Sequence, residues 1–371
     1  MDKVRIGVIG IGNMGSDHSK RLLKGDIDGA VLAAVCDKNP ERLAWATENL
    51  PGIAQFADAI DMMKSGQIDA IIIAVPHYDH PKMAMAGFDH GLHVMCEKPA
   101  GVYSKQVREM NAAADKSNVV FGMMFNQRTN GVFIKMHELV QSGAIGEVRR
   151  TNWLITNWYR SQCYYDSGSW RATWAGEGGG VLLNQCPHNL DLWQWITGMM
   201  PSKVTAFCHE GKWHNIEVED DVTAYVEYPN GATGVFITST ADTPGTNRFE
   251  VLGNKGKIVF EDDKLTLYKM SITEEEFSKA NTKPFGKPDY EEIHFDDLDD
   301  GGSQHNNVLR AFANKILGKG ELVASGQEGL NSLMLSNAMH LSSWLGKTVE
   351  LPFDDNLFYA ELQKKAANRK G

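Results

Sequence analysis

The stretch "VRIGVIGIGNMGSDHSKRLL" (residues 4–23) decides the fold. A β-rich run from Val4 to Ile9 leads into Gly10, Gly12 and Gly15 in GxGxxG spacing, with Asn13 and Met14 between them, and a helical run follows to about Lys24. Alone the glycine pattern is weak, since any α/β protein can carry a glycine-rich turn. Its surroundings make it specific. A second apolar run, "VLAAVCD" (31–37), ends in Asp37, about twenty residues beyond the last glycine, as in a dinucleotide-binding βαβ unit. Glycines let backbone N–H groups approach a pyrophosphate at a helix N-terminus, and the acid receives ribose hydroxyls. Asp37 favours NAD over NADP because a carboxylate repels a 2′-phosphate, although Lys38 and Arg42 nearby soften that preference.

Working outward, strands and helices keep alternating. "NPERLAWATENL" (39–50) has Asn39 as an N-cap and Pro40 at the first helical position. "DAIIIAVP" (69–76) is apolar throughout after Asp69, as buried parallel strands are. "HVMCEKPAG" (93–101) ends another strand in polar residues. Ligands of open α/β sheets bind beyond the carboxyl ends of the strands. Pro76, His77 and His80, and then Glu97 and Lys98, are therefore placed to meet a cofactor, with the solvated-loop reading of Lys98 standing beside the functional one.

Near residue 122 the rhythm changes. "NGVFIKMHELVQSGAIGE" (130–147) reads as one helix closed by glycines. Strands follow at 148–156, 203–209, 223–229, 232–240, 249–253 and 257–262, with "PNG" (229–231) and "NKG" (254–256) as hairpin turns. Helices are expected within 308–317 and 330–345, and "GKTVELP" (346–352) closes the fold before a frayed tail, 364–371. The expected architecture is α/β: a Rossmann domain over 1–122 and an α/β domain with a large, mostly antiparallel open sheet over 123–371.

Composition limits the partners. The chain has 371 residues, 42% of them hydrophobic, and a formal net charge of −10, which argues against nucleic acid or an anionic membrane. The acidic runs "EVEDD" (217–221) and "DDLDD" (296–300) read as solvated loops. The five cysteines, at 36, 96, 163, 186 and 208, form no CxxC pair, so no disulfide or metal site is expected and a reducing cytoplasm fits. The N-terminus runs almost directly into a strand and leaves no room for a signal peptide, and no apolar run is long enough to span a bilayer.

Taken together, "GIGNMG" (10–15), "CEKPAG" (96–101), "GEGGGVLLNQCPHNLDLW" (176–193) and "GKTVELP" (346–352) resemble the Gfo/Idh/MocA oxidoreductases, over nearly the whole chain. The resemblance implies a nicotinamide cofactor, usually a sugar or polyol substrate, and an open C-terminal sheet that often makes subunit contacts, hence a homodimer or homotetramer. It implies that Lys98 and His188 flank the carbon whose hydroxyl is oxidised, His188 as base and Lys98 bonded to the same oxygen, with lysine as base the alternative. Many family members carry aspartate where this chain has Asn184. An amide can orient a hydroxyl but cannot take its proton, so Asn184 is assigned to substrate positioning. Asp191 could supply charge, or could equally cap or pack.

The segment 156–180 is dense in aromatics and arginines, among them Tyr159, Arg160, Trp170, Arg171 and Trp174. Rings can cover the C–H faces of a carbohydrate while polar groups bind its edges, or the same density can build a core or a subunit interface. With "NQCPHNLD" (184–191) this region resembles the branch acting on pyranosides and glycosides, including oxidation at C3 to a 3-keto sugar. "FNQR" (125–128) adds Gln127 toward the cofactor and Arg128 toward the substrate. Two further readings stay open: a redox glycosidase that cleaves by oxidation and elimination, and a non-catalytic dinucleotide-binding sensor.

Overall fold

A computed structural model of the chain describes residues 2–296, 298–299 and 301–368. The chain forms two compact units: residues 1–129 with 303–333, and residues 130–302 with 334–371.

The first unit is built from β1 (Val4–Ile9), α1 (Asn13–Lys24), β2 (Ala30–Cys36), α2 (Pro40–Asn49), β3 (Ala54–Phe56), α3 (Ala59–Lys64), β4 (Ala70–Ile73), α4 (His80–Asp89), β5 (His93–Cys96), α5 (Ser104–Ala114) and β6 (Phe121–Met123). Its six strands are all parallel in the order β3-β2-β1-β4-β5-β6, the doubly wound arrangement expected from the glycine motif. β4 is buried at every residue, which explains why it is apolar throughout. Asn39 caps α2 as its position predicts, its side chain accepting from Glu41 N–H at 2.9 Å. The short β3–α3 segment and α5 with β6 were not anticipated; three-residue strands carry too little pattern to read.

In the second unit the elements are α6 (Gly131–Gln141), β7 (Val148–Ile155), α7 (Gln162–Tyr165), α8 (Pro187–Thr197), β8 (Lys203–Glu210), β9 (Glu219–Glu227), β10 (Thr233–Ser239), β11 (Asn247–Gly253), β12 (Gly256–Glu261), β13 (Lys264–Met270), α9 (Glu274–Ala280) and β14 (Tyr290–Phe295). The chain then returns to the first unit with α10 (Gln304–Ile316). It continues through α11 (Gly329–Leu345), β15 (Val349–Glu350) and α12 (Asp355–Ala367). The nine-stranded sheet runs β14-β13-β12-β11-β7-β10-β9-β8-β15 and is antiparallel except where β10 meets β7. Its core is aromatic: Trp153 lies flat on Phe249, ring centroids 4.2 Å apart, and Trp193 of α8 stacks on Phe236. Gly234 makes room for this, since a Cβ there would lie 3.0 Å from the Trp193 ring.

Three expectations need correction. The division at 122/123 omitted the return of 303–333, whose α10 places Val308, Leu309, Phe312 and Ala313 in the hydrophobic core of the first unit. The run 217–221 is not a solvated loop. Glu219 and Asp220 are wholly buried, Glu219 accepting from Gly180 and Leu182 N–H and Asp220 from the N–H groups of residues 212–214. Of the run 296–300, residues 297 and 300 lie outside the described residues. The tail is helical through Ala367 rather than frayed from 364, while 369–371 lie outside the described residues. Among the described residues no helix is long and apolar enough to cross a membrane.

Candidate active site

In the first unit the glycine loop has three distinct environments. Gly10 has φ +83°, and a Cβ there would meet the Ala74 carbonyl oxygen at 2.7 Å. A Cβ on Gly15 would fall 1.8 Å from the Gly10 oxygen, so this glycine lets α1 seat against the loop. Gly12 has nothing within 4 Å. It caps α1, whose first turn has neither a capping side chain nor an acidic residue, and Asn13 and Met14 beside it are exposed. The arrangement is an open cradle of backbone N–H groups at the positive end of a helix dipole, which suits a pyrophosphate.

Asp37 stands at the end of β2, one carboxylate oxygen accepting from Ile11 N–H at 2.9 Å and the other from Asn39 N–H at 2.9 Å. Each oxygen keeps a further lone pair for a ribose hydroxyl. Arg42 lies across the loop, Nε donating to the Ile11 carbonyl at 2.7 Å and the guanidinium also touching Ser16 Oγ. It braces the cradle. The residues present therefore fit a nicotinamide dinucleotide.

The strand-end residues divide into inner and outer sets. Pro76 is exposed, and Gln127 and Lys98 are half-buried. His77 is 8% exposed, while His80 is buried, with Nδ1 2.7 Å from the Pro99 carbonyl and Nε2 2.7 Å from that of Val75. His80 thereby ties the loops after β4 and β5 together, and burial pushes its pKa down. Glu97 is buried as well, one oxygen 2.6 Å from His18 Nε2 of α1 and the other accepting from Lys98 N–H at 3.2 Å. Burial pulls this carboxyl upward, but His18, then His305 and Lys98, outweigh it and hold it at about 2. Sequence reasoning missed His18 and His305; the available signal was a ring-bearing polar residue on the inward face of α1. Arg128, expected at the substrate, is 4% exposed and donates to Glu328 at 2.7 Å. Its guanidinium is committed to an ion pair within this unit.

The second unit holds the remaining residues. The helix carrying His188 begins at Pro187, where the fixed φ of proline and its missing N–H suit a first helical position. Before it, residues 180–186 form tight turns: Asn184 N–H donates to the Gly180 carbonyl and Cys186 N–H to that of Val181. The glycines are needed here, because a Cβ on Gly180 would strike the Glu219 carbonyl oxygen at 1.9 Å. His188 is 9% exposed at the second position of α8, one helical turn of sequence beyond Asn184.

Around Asn184 lies a polar cluster that sequence reasoning did not assemble. The Tyr164 hydroxyl accepts from Arg171 at 2.8 Å and from the amides of Asn184 and Gln185, each at 3.3 Å. Arg171 is held against the Tyr164 and Trp170 rings, its guanidinium carbon 4.6 Å from each centroid. Glu177, 2% exposed, accepts from Ala172 N–H at 2.6 Å and touches the Asn184 amide. Burial raises its pKa, against the pull of Ala172, Asn184 and Arg171. Arg160 lies over the Tyr164 ring at 5.2 Å, beside exposed Tyr159. Trp174 belongs elsewhere: it is 2% exposed and makes T-shaped contacts with His340 and Trp344, so its ring is part of the core. Asp191, 1% exposed, accepts from Gln194 at 3.2 Å. Among the described residues no group of three or more histidines, cysteines or acids is placed to hold a metal ion.

A doubly wound sheet with an open glycine cradle, joined in one chain to a large mixed sheet, is the organisation of a two-domain nicotinamide-dependent oxidoreductase. The chain belongs to the Gfo/Idh/MocA family: residues 4–125 match its NAD-binding Rossmann fold and residues 133–259 its C-terminal domain. It is 26% identical over 352 residues to the myo-inositol 2-dehydrogenase of Thermotoga maritima, covering 94% of this chain and 98% of that protein. It is 26% identical over 294 residues to the levoglucosan dehydrogenase of Pseudarthrobacter phenanthrenivorans, covering 70% of this chain and 74% of that one. The WlbA dehydrogenase of Bordetella pertussis, solved in complex with NADH and UDP-GlcNAcA, superposes with a TM-score of 0.78 at 26% identity, covering 95% of this chain and all of that one. The protein is thus an oxidoreductase with NAD as cofactor, and the fold expected from sequence is the fold observed.

Proposed function

We propose that the protein oxidises a secondary hydroxyl of a sugar, glycoside or cyclitol, with C3 of a pyranoside the favoured position. The observation that carries the substrate class is the cluster at Tyr164, where Arg171, Asn184 and Gln185 converge on one hydroxyl beside half-buried rings. Paired apolar faces and fixed donors match a ring that is apolar on its faces and hydroxylated at its edges. The relatives named for inositol and levoglucosan support the same class. Asp37 with both oxygens anchored favours NAD over its 2′-phosphorylated form.

A nicotinamide dinucleotide held by the glycine loop and Asp37 would supply the acceptor for the hydride of the substrate carbon. His188, whose unperturbed type titrates near neutrality, takes the hydroxyl proton, and Lys98 donates a hydrogen bond to the same oxygen. Tyr159, Arg160, Trp170, Arg171 and Asn184 hold the ring. The outer face of the nine-stranded sheet exposes Phe207 and Tyr225, which supports pairing of two copies there. Multi-angle light scattering should then report a dimer or tetramer, and a monomer would reject that assembly.

The test is mass spectrometry of products after incubating the protein and NAD with glucosides, galactosides, free aldoses and inositols. A product two hydrogens lighter, absent with Lys98→Ala and His188→Ala, is expected. Cleaved sugar without an oxidised product would replace this reading with oxidation–elimination. Conversion of nothing, with dinucleotide still bound, would replace it with a sensor.

A further inference from the structure

Asn184 stands where a carboxylate would give the site an acceptor of fixed orientation, and an amide by itself offers no such certainty. It can turn either its carbonyl or its NH2 toward a ligand, at nearly equal cost. Its surroundings remove that ambiguity. Glu177 touches the Asn184 amide, and an ionised carboxylate can only accept hydrogen bonds, so the NH2 must face it. The second amide hydrogen has the Tyr164 hydroxyl 3.3 Å away. The Asn184 carbonyl oxygen is thereby turned away from the carboxylate as an acceptor.

Glu177 is itself held in place. Its other oxygen accepts from Ala172 N–H at 2.6 Å, and Arg171 lies 3.7 Å from the oxygen that meets Asn184. It is 2% exposed, so it makes no contact with bulk water that would let it swing. A carboxylate kept in so dry a place is costly, and its hydrogen bonds from Ala172 and Asn184 offset part of that cost.

We propose that Glu177 is a positioning residue for the oxidation site: it fixes the Asn184 amide so that the carbonyl oxygen accepts from the substrate hydroxyl. Glu177 and Asn184 together then do what a single aspartate at 184 would do, with the negative charge moved one residue back from the substrate. This rests on the functional reading above.

The reciprocal exchange tests it. In Glu177→Gln the carboxamide oxygen can still accept from Ala172, which leaves its NH2 facing the Asn184 NH2. Asn184 must flip and present a donor where an acceptor was. In Asn184→Asp two carboxylates meet in a dry site. In the double variant Glu177→Gln/Asn184→Asp, the amide introduced at position 177 would accept from Ala172 and donate to the new carboxylate, whose second oxygen again faces outward as an acceptor.

Three quantities are read on all four proteins: the urea midpoint, and kcat and KM with NAD and the best substrate of the panel above. Each single variant should lower kcat on the order of 10²-fold, the usual penalty for a misplaced reacting partner, with KM for NAD unchanged. The double variant should recover to within about tenfold of wild type, along with the midpoint. Retention of wild-type kcat in Glu177→Gln would overturn the proposal. So would a double variant that regains stability but not kcat, since Glu177 would then be a structural residue only. A wild-type protein that oxidises no member of the panel would overturn the functional reading and this role with it. That outcome is distinct from an active wild type whose double variant fails to recover.

Discussion

His188 occupies the second position of α8, a helix that opens on Pro187, and is only 9% exposed. A histidine there is oriented by the helix rather than by a mobile loop, which suits a base that must meet one hydroxyl repeatedly. Its replacement by alanine should lower kcat/KM by about 10²- to 10⁴-fold, the range usual for a positioned acid–base group. Circular dichroism and NAD affinity should stay unchanged; loss of NAD binding would show instead that the histidine supports the fold. The cysteines give a second residue-scale expectation. Cys163 is exposed, whereas Cys36, Cys96 and Cys186 are buried and burial pushes the Cys36 thiol up to about 12. A maleimide should therefore modify Cys163 first in the native protein, read by peptide mass spectrometry.

At the scale of elements, the glycine loop separates folding from binding. Gly12 has φ −66° and open space around it, so Gly12→Ala should fold with wild-type stability yet lose NAD affinity, because the added methyl fills the cradle. A Cβ on Gly15 would lie 1.8 Å from a carbonyl oxygen, so Gly15→Ala should cost about 1–3 kcal/mol or more of stability. Thermal melts and calorimetric NAD titrations of the two variants distinguish these effects; equal stability would refute the packing role of Gly15. This loop was legible in sequence because the glycine spacing, the flanking strand and helix, and Asp37 all lie within one short run of the chain. The cluster around Tyr164 was not. Glu177 and Arg171 come from turns and Tyr164 from a four-residue helix, none with a readable period, and Gly180 beside them docks on the start of β9 through buried Glu219. Trp174 shows the opposite failure: composition placed it at a sugar, while packing buries it in T-shaped contact with the stacked rings of His340 and Trp344.

On the scale of the whole molecule, acid stability depends on carboxyls that burial and pairing pull in opposite directions. Glu97 sits at about 2 in the folded protein against an ordinary 4.5, so the stability it contributes is complete above its unfolded value and disappears as pH falls toward 2. The contribution is about 3 kcal/mol. Burial raises Glu177, so its ionised form costs stability at neutral pH, and that cost is relieved as pH falls through its raised value. The melting temperatures of wild type and Glu97→Gln should therefore differ most above pH 5 and converge toward pH 2; a constant gap would show that charge is not what Glu97 contributes. Phe312 of α10 is fully buried in the core of the first unit, so Phe312→Ala should cost about 3–5 kcal/mol in urea unfolding. A fragment of residues 1–129 lacks α10 altogether and should melt without cooperativity.

The late return of the chain has a consequence for biosynthesis. On the ribosome, the glycine loop and all six parallel strands emerge early, but the face that α10 covers stays bare until residues 308–313 have been translated. The second unit waits longer still, because Phe358 and Leu362 of α12 belong to its buried interior. Neither half can finish folding in the order in which it is made. Through most of synthesis the nascent chain carries exposed apolar surface, the state in which chaperones hold and aggregation competes.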